Sequence, residues 1–489
     1  MIATPRVRFE GRSIIFLIAG ALIGFHIIWQ TWLVLAAPYP AHYDYDEGVY
    51  AETAAAAADG HRLYGSVFLS QPPLLIGMLA HAFGVFGKSL ASARGVVAGA
   101  SVLWLAGMAV IAARGAHPRA ALWAIAIAAS APAFVAASHT VQMEGPSEAF
   151  AAAAVALGLF AGARRGAGGT AGWVEALRWG AAGVAAGLAV MTKFTAATCL
   201  VPLAVAIVAA EPAAPRRITK RAAALAAGGA LAAGAAIVWT GSPPAEMWRQ
   251  TVAFHSAVAR VNPVDPGRAI SLLLAFAAAD WFLVALGLAG LAYAAARWRR
   301  GAAQHHAVVA WLAADLTAVL LWRPVWPHHL GILVTPLAVL GAAAVEGGRP
   351  VAPRARTTVA GIVLIAWLAA LTGSIALSAP ATSAPLRAAA IETARSVPAG
   401  AWVLADDPIV PLLAGRDVPP DLCDTSEMRI RAGWLNAETL TAALADPRVR
   451  GVVLWRGTFR EAFPRFVDEA TREFPRRRIA GGDRLILAR

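Results

Sequence analysis

The chain contains little charge and almost no cysteine. Only 15% of its 489 residues are charged, against about 25% in an ordinary soluble domain, and this deficit excludes a soluble enzyme and a disordered chain. Its two cysteines, Cys199 and Cys423, imply no disulfide framework and show no spacing typical of a zinc site. The C-terminal part contains no GxGxxG or Walker pattern, so it has no sequence signal for a phosphate-binding loop.

Long hydrophobic runs are what the chain has in abundance. Hydrophobic residues make up 58% of it, and the mean hydropathy is +0.60. The apolar residues come in runs of about 20, long enough for helices that cross a hydrocarbon core of about 30 Å. The sequence therefore predicts an α-helical polytopic membrane protein with about 11 transmembrane helices. The predicted spans are 13–37, 91–113, 119–138, 146–163, 179–192, 194–210, 222–241, 269–296, 307–322, 329–345 and 357–378.

The basic residues are concentrated in alternate loops. The net charge is +13, and 18 Lys and Arg residues, against four acids, lie in the loops 1–12, 112–120, 164–178, 211–222, 297–306 and 346–356. The positive-inside rule makes these loops cytoplasmic. The prediction is an integral protein of the cytoplasmic (inner) membrane, with a cytoplasmic N-terminus and an extracytoplasmic C-terminal tail. Since the basic excess reports topology, nucleic acid is not an expected partner.

Two domains are predicted, a transmembrane domain over 1–379 and a small extracytoplasmic α/β domain over 380–489. Within the first, the outer loop 38–90 carries an Ala-rich helix over Asp46–Asp59 and, after Pro72-Pro73, an apolar helix at the membrane interface. In the second, composition predicts strands at 401–407 and 449–455, a closing hairpin over 477–488 around Gly481-Gly482, and helices at 436–446 and 460–473.

Acidic residues beside the lipid are the first candidates for chemistry, because an ionisable group at a span centre costs about 2.5–3.5 kcal/mol on insertion scales. Asp46 and Glu47 follow the first span. They form either a solvated helix start or a pair in which one carboxylate takes a proton from a hydroxyl nucleophile while its neighbour raises its pKa or shares a metal. Glu144 is either a helix cap or a group that orients an acceptor or a metal. Asp280 and Asp315, within spans, are expected to pair with neighbouring helices.

Cationic side chains are predicted at the same face. Lys193, at a turn between two short spans, is either a snorkelling lysine or an anion ligand. Arg323, His328 and His329 form a second cluster. Adjacent residues on a helix point about 100° apart, so we expect the two histidines to hydrogen-bond a phosphate rather than share one metal.

Four motifs carry a resemblance to a known family. The first motif is DEGVYAETAAAAADGHRLYGSVFLSQPPLLIGMLAHAFGVFG followed by SARGVVAGASVLWLAGMAV. It resembles the first outer loop and second span of the GT-C glycosyltransferases, in the branch of the protein O-mannosyltransferases and the bacterial lipid A aminoarabinose transferase. The second acidic motif of that family resembles QMEGPSEAFAAAAVALGLF, its Leu-Thr-Lys motif resembles GLAVMTKFTAATCLVPLAV, and its His/Tyr-rich start of a late span resembles WPHHLGILVTPLAVLGA. The similarity covers residues 10–345, and the order of the motifs agrees.

The resemblance implies a transfer, with inversion, of a sugar from a polyprenyl-phosphate carrier to an extracytoplasmic acceptor. Asp46 matches the catalytic acid of the first loop, which we expect to act as general base, and Glu144 and Lys193 match further active-site positions. Many members have Lys where this chain has Gln71, and Arg where it has Val49. Because both departures remove a phosphate ligand, the donor phosphate is expected to bind other cations. The candidates are Lys193, Arg94, Arg323, His328 and His329.

The expected partners are a polyprenyl-phosphate-linked sugar donor, membrane lipid, and a lipid, glycan or protein acceptor. No cofactor is required by the sequence, although Glu47 and Glu144 leave room for a divalent cation. The competing hypothesis is a polytopic transporter or lipid flippase without transferase activity. Transporters place their ionisable groups near the bilayer midplane, whereas here they cluster at one face beside an outer domain, which favours the enzyme.

Overall fold

The computed structural model describes residues 11–115, 117–163, 172–210, 214–298, 303–347, 353–479 and 484–488. Parts of the predicted cytoplasmic loops lie outside these described residues, namely 1–10, 116, 164–171, 211–213, 299–302 and 348–352. The predicted hairpin turn around Gly481-Gly482 also lies outside them.

Apolar helices dominate the chain before residue 380, as the hydrophobic runs predict. Their bounds are α1 (Gly11–Ala36), α2 (Tyr45–Ala58), α3 (Leu74–Phe86), α4 (Leu90–Gly115), α5 (Ala120–Ala129), α6 (Pro132–Ala137), α7 (Glu144–Ala163), α8 (Gly172–Thr192), α9 (Leu200–Ala210), α10 (Pro215–Trp239), α11 (Pro244–Trp248), α12 (Phe254–Val261), α13 (Pro266–Ala279), α14 (Trp281–Ala296), α15 (Ala303–Leu321), α16 (Val334–Gly347) and α17 (Pro353–Ser378). The 3₁₀ turns Phe194–Cys199 and Pro327–Leu333 and the π-helical turn Arg249–Ala253 connect neighbouring helices.

Seven of the described helices are long and apolar enough to cross a membrane, or eight if the bent pair α13 and α14 is one span. The chain is thus a multi-pass membrane protein. Each predicted span contains helical residues, but the number 11 is not confirmed. Two predicted spans are broken: 119–138 is divided between α5 and α6, and 269–296 bends by 101° between α13 and α14.

A buried carboxylate connects these two breaks. Asp280 lies at the bend, and its Oδ1 atom accepts a hydrogen bond from the backbone N–H of Ala133 at 3.0 Å. The backbone N–H groups in the first turn of a helix have no partner within the helix, and a helix end inside a bundle needs other groups to accept from them. Asp280 is the acceptor for one of these donors at the start of α6. The expected pairing of Asp280 with a neighbouring helix is therefore found. Asp315 is also fully buried, on α15.

The tail, residues 380–489, contains the small α/β unit that the sequence predicts. Its helices are α18 (Ala384–Ser396), α19 (Ile409–Leu413), α20 (Glu427–Arg431), α21 (Ala437–Leu444), α22 (Thr458–Ala462) and α23 (Pro464–Glu473), with a 3₁₀ turn at Pro420–Leu422. Its strands are β1 (Trp402–Ala405), β2 (Val449–Leu454), β3 (Arg476–Ile479) and β4 (Leu485–Ala488), in the order β1-β2-β4-β3. Strands β1 and β2 are parallel, with Leu404 opposite Val452, and β4 is antiparallel to β2 and β3.

The predicted first outer loop and the tail share one hydrophobic core. Val49 of α2 and Ile409 and Val453 of the tail are all buried in it. The backbones of α2 and α19 approach closely at Gly48, where a Cβ atom would lie 2.5 Å from the backbone nitrogen of Ile409 and 3.1 Å from its Cα. Only glycine therefore fits at this crossing.

We predict that Gly48→Ala loosens the tail from α2. A methyl group so close to backbone atoms cannot be accommodated by a side-chain rotation, and overpacking of this kind costs about 1–3 kcal/mol. The variant should unfold at a lower temperature in detergent, and limited proteolysis should release the tail faster. Gly84→Ala on α3 is the control, because nothing lies within 4 Å of its Cβ position. Equal stability of the two variants would contradict the prediction.

Candidate active site

The start of α2 brings its acidic residues into a polar cavity of about 400 Å³. Asp44 is the N-cap of α2, and its Oδ1 atom accepts from the backbone N–H of Asp46 at 2.9 Å. Both carboxylates line the cavity. One turn later, the Tyr50 hydroxyl donates to Oδ2 of Asp46 at 3.2 Å. Asp44 therefore caps the helix, as the simpler alternative supposes, while Asp46 faces the cavity.

Burial affects the acidity of these two carboxyl groups differently. For Asp46, burial and then the negative charge of Asp44 raise the pKa to about 6. For Asp44, burial favours a higher pKa, but the hydrogen bond and the charge of His328 hold the pKa below its usual value. A carboxylate with a pKa near 6 is a stronger base than an ordinary aspartate and is still mostly ionised at pH 7. Asp46 is therefore the better proton acceptor of the two.

Three other predicted motifs meet at this cavity. Glu144 is the first residue of α7, Lys193 precedes the 3₁₀ turn after α8, and His328 lies in the 3₁₀ turn before α16. The Lys193 ammonium forms a buried ion pair with Glu144. His328 lies between the two acidic motifs, with Nδ1 3.2 Å from Oδ2 of Asp44 and Nε2 3.8 Å from Oε1 of Glu144. The structure thus brings these predicted residues to one place.

Two groups of these side chains could hold a metal ion. The ligand atoms lie within 4.8 Å of one another in the group of Asp44, Asp46 and His328, and also in the group of Glu144, His328 and His329. The second group brings both histidines within reach of one ion, and the expectation that they bind a phosphate instead stays a prediction. The planes of the two imidazoles are nearly perpendicular, at 85°. Their Nε2 atoms lie 3.8 and 4.0 Å from Oε1 of Glu144, at the start of α7.

Glu47 and Arg94 do not line the polar cavity and neutralise each other. Nε and Nη2 of Arg94 donate to the two carboxylate oxygens of Glu47 at 2.9 and 2.7 Å. The backbone N–H of Val141 donates to the same carboxylate at 2.8 Å, and both charged side chains are buried. This arrangement fixes α2 against α4. It supports a structural role for both residues. Arg94 also lines a second, mainly apolar cavity, so its predicted role in binding phosphate stays a prediction, as does that of Glu47 in orienting an acceptor or a metal.

The remaining predicted cation, Arg323, lines the polar cavity with an exposed side chain. Gln71 and Val49, which stand where many GT-C members have Lys and Arg, line the same cavity. The two departures from the family pattern therefore face the candidate site, where they lower its positive charge.

The tail forms a wall of the polar cavity, which the sequence did not predict. Thr425 and Arg456 belong to this wall. The Tyr43 hydroxyl donates to Oδ2 of Asp407 at 2.9 Å, and the Tyr45 hydroxyl lies 3.2 Å from Oγ1 of Thr425. The tyrosines that alternate with acids in YDYDE thus bind the loop to the tail, and this alternation is the one local signal that could have indicated the contact.

A second, mainly apolar cavity of about 560 Å³ adjoins the first. Leu33, Leu272 and Phe276 contribute to its lining, and Asp44 and His328 line both cavities. An apolar space next to a polar one suits a substrate with a charged head group and a hydrocarbon chain.

We predict that Arg94→Met and Glu47→Gln each destabilise the protein by about 3–5 kcal/mol, because removal of one partner leaves a buried charge unpaired. The double variant should be more stable than either single variant, as shown by unfolding in denaturant. Asp59→Asn, in the exposed pair with Lys88, is the control and should cost at most about 1 kcal/mol. If the single variants kept wild-type stability but lost affinity for polyprenyl phosphate, Arg94 would be a phosphate ligand after all.

Comparison with known proteins identifies a family for part of the chain. Residues 70–239 match the family model described as dolichyl-phosphate-mannose-protein mannosyltransferase. No curated protein matches the chain by sequence.

Solved structures share the fold over most of the chain. ArnT from Cupriavidus metallidurans bound to undecaprenyl phosphate superimposes with a TM-score of 0.67 and 14% identity, over 96% of this chain and 97% of that one. The archaeal oligosaccharyltransferase AglB from Archaeoglobus fulgidus, in complex with an inhibitory peptide and a dolichol-phosphate, gives 0.61 and 14%, over 89% and 69%. The Archaeoglobus fulgidus oligosaccharyltransferase in complex with Zn and sulfate gives 0.56 and 15%, over 88% and 67%.

At these identities the structural likeness establishes the fold, and the family model adds the enzyme class. Together they confirm the resemblance carried by the motifs: the chain has the fold of the GT-C glycosyltransferases, and its residues 70–239 match a glycosyltransferase family.

Proposed function

We propose that the chain transfers a sugar from a polyprenyl-phosphate carrier to an extracytoplasmic acceptor, with inversion at the sugar carbon. The observation that carries the proposal is the position of Asp46, a carboxylate of raised pKa in a polar cavity that also contains Lys193 and His328 and adjoins an apolar cavity. The donor class is supported by the structures of ArnT and AglB, which hold undecaprenyl phosphate and a dolichol-phosphate.

Asp46 acts as general base in the proposed reaction. Its carboxylate takes the proton of an acceptor hydroxyl while the hydroxyl oxygen bonds to the anomeric carbon. The bond from that carbon to the phosphate oxygen breaks, and its electron pair stays on the phosphate. Attack opposite the leaving group inverts the configuration. Lys193, His328 and Arg323 stabilise the departing phosphate; Lys193 can do so while paired with Glu144 because an ammonium has three donors.

The order of helix ends supports an extracytoplasmic reaction at the inner membrane. Asp46 follows the C-terminal end of α1, and Glu144 and Lys193 lie at the start of α7 and the end of α8. The opposite ends of these three helices join the predicted basic loops, which the positive-inside rule makes cytoplasmic. The acceptor is then a lipid, glycan or protein on the outer side, where the tail also lies.

A divalent cation fits the group of Asp44, Asp46 and His328 better than the group that includes Glu144. Two carboxylates face the polar cavity in the first group. Glu144 is already neutralised by Lys193, and this ammonium would repel a second cation. When bound, such a cation would neutralise phosphate charge. The Zn in the oligosaccharyltransferase structure supports a metal in this fold.

We predict that Asp46→Asn abolishes most transfer, while folding and polyprenyl-phosphate binding stay near wild type. Asn keeps the size and the hydrogen bonding of Asp but is not a base, and a positioned base contributes about 10²–10⁴-fold. Transfer is measured in nanodiscs as release of polyprenyl phosphate from a sugar-loaded carrier. Asp59→Asn, an exposed acid at the other end of α2, is the matched control.

Full activity of Asp46→Asn would exclude this residue as the base. A wild-type protein that moved the carrier across the bilayer without releasing polyprenyl phosphate would instead be the transporter or flippase.

We predict that a chelator lowers transfer and that Mg²⁺, Mn²⁺ or Zn²⁺ restores it. Asp44→Asn should raise the cation concentration needed for half-maximal transfer by at least about tenfold, as losses around metal sites typically do. Glu144→Gln should leave this concentration unchanged. Full transfer after chelation would exclude the cation, and unchanged cation binding in both Asp44→Asn and Asp46→Asn would exclude this group as its site.

A further inference from the structure

We propose that the tail supplies a ligand to the active site: the guanidinium of Arg456 binds the phosphate group of the lipid-linked substrate. The inference rests on the proposed function for the identity of that substrate. The inference goes beyond the proposed function because it gives the tail a direct part in binding the substrate.

Most cations that the motifs predict for the phosphate are already matched by carboxylates. The pairs are Lys193 with Glu144, Arg94 with Glu47, and His328 with Asp44. Gln71 and Val49 contribute no charge to the cavity wall. These paired cations would have to serve a carboxylate and a phosphate at once, so a cation without a carboxylate partner adds to phosphate binding. The further predicted residues at the cavity are Arg323 and His329.

Arg456 lies at the position where this charge is needed. It follows β2, lines the polar cavity, and has its guanidinium carbon 4.6 Å from the ring centre of Tyr45, the residue before Asp46. Among the described residues, no carboxylate forms an ion pair with it. Burial favours a higher pKa for Asp44 and for Asp407, and the nearby charge of Arg456 opposes this effect in both, but the N–H donors of Arg456 stay available.

The backbone around Arg456 is held rigidly. The buried carboxylate of Asp406, at the end of β1, accepts from the backbone N–H groups of Trp455, Arg456 and Gly457 at 2.6, 3.1 and 2.8 Å. Gly457 has a φ of +87°, a conformation that favours glycine. These bonds fix the loop on the sheet, so the guanidinium projects from a preorganised base.

The chemistry of arginine favours a phosphate as its partner. A guanidinium presents five N–H donors in a planar fork that matches two phosphate oxygens at once. The face of Tyr45 supports the same cation without using its donors. The arrangement can therefore bind a phosphate at the edge of the guanidinium while the aromatic ring holds its orientation.

Binding of undecaprenyl phosphate to the full-length protein in nanodiscs tests the proposal. Arg456→Gln should weaken binding roughly 10- to 100-fold, the range for a lost hydrogen bond to a charged group. Arg456→Lys should weaken it less, because the charge remains but the fork is lost. Arg465→Gln, an exposed arginine on α23, is the matched control. The loop is held by bonds from its backbone N–H groups to Asp406, and substitutions of the Arg456 side chain keep these bonds. The unfolding temperatures of the Arg456 variants should therefore equal that of wild type.

Steady-state kinetics identify which substrate carries the phosphate. A raised KM for the sugar-loaded carrier alone assigns Arg456 to the donor, and a raised KM for a phosphorylated lipid acceptor alone assigns it to the acceptor. Equal binding and equal KM values for wild type and Arg456→Gln would overturn this inference only. Failure of the wild-type protein to bind undecaprenyl phosphate would overturn the proposed function and the inference with it.

Discussion

The rest of the site depends on the fixed position of α2. On one side Glu47 is paired with Arg94 inside the helical bundle, and on the other side Gly48 lets the backbone of α19 approach. These two consecutive residues hold the first turn of α2 between the membrane helices and the tail. Asp44 caps this turn and Asp46 lies within it, so their directions are set by contacts that they do not make themselves. A buried ion pair adds little net stability but is costly to break, which suits a role in defining position.

The polar cavity combines matched and unmatched charges. Lys193 neutralises Glu144, and His328 hydrogen-bonds Asp44, so both residues are compensated before any substrate binds. Asp46 has only the Tyr50 hydroxyl as a side-chain donor among the described residues. It is the carboxylate with the least compensation, and burial acts on its pKa with the least opposition. This difference between neighbouring carboxylates supports the proposed role of Asp46 as a base, while Asp44 caps the helix.

Composition and local pattern predicted many of the helices and strands. They did not predict which of these elements contact one another. The predicted span 91–113 corresponds to α4, and the predicted strand 449–455 corresponds to β2. No proline in the sequence marks the 101° bend within 269–296, where Asp280 accepts a hydrogen bond from the backbone N–H of Ala133 in a distant helix. The same holds at the site: Arg94 lies 47 positions from Glu47 and Thr425 lies 380 positions from Tyr45, and no single-sequence pattern reports such pairs.

In the proposed reaction, the tail helps a carboxylate of the predicted outer loop to act as a base. An exposed aspartate has a pKa near 3.9 and is a weak base. Tyr43 and Tyr45 hold the tail over the acidic motif, and burial is the largest cause of the raised pKa of Asp46. The same cover lowers the local dielectric constant, which strengthens the attraction between a phosphate and the cations of the cavity. One docking contact therefore serves both halves of the proposed reaction, because it makes the base stronger and the leaving group easier to stabilise.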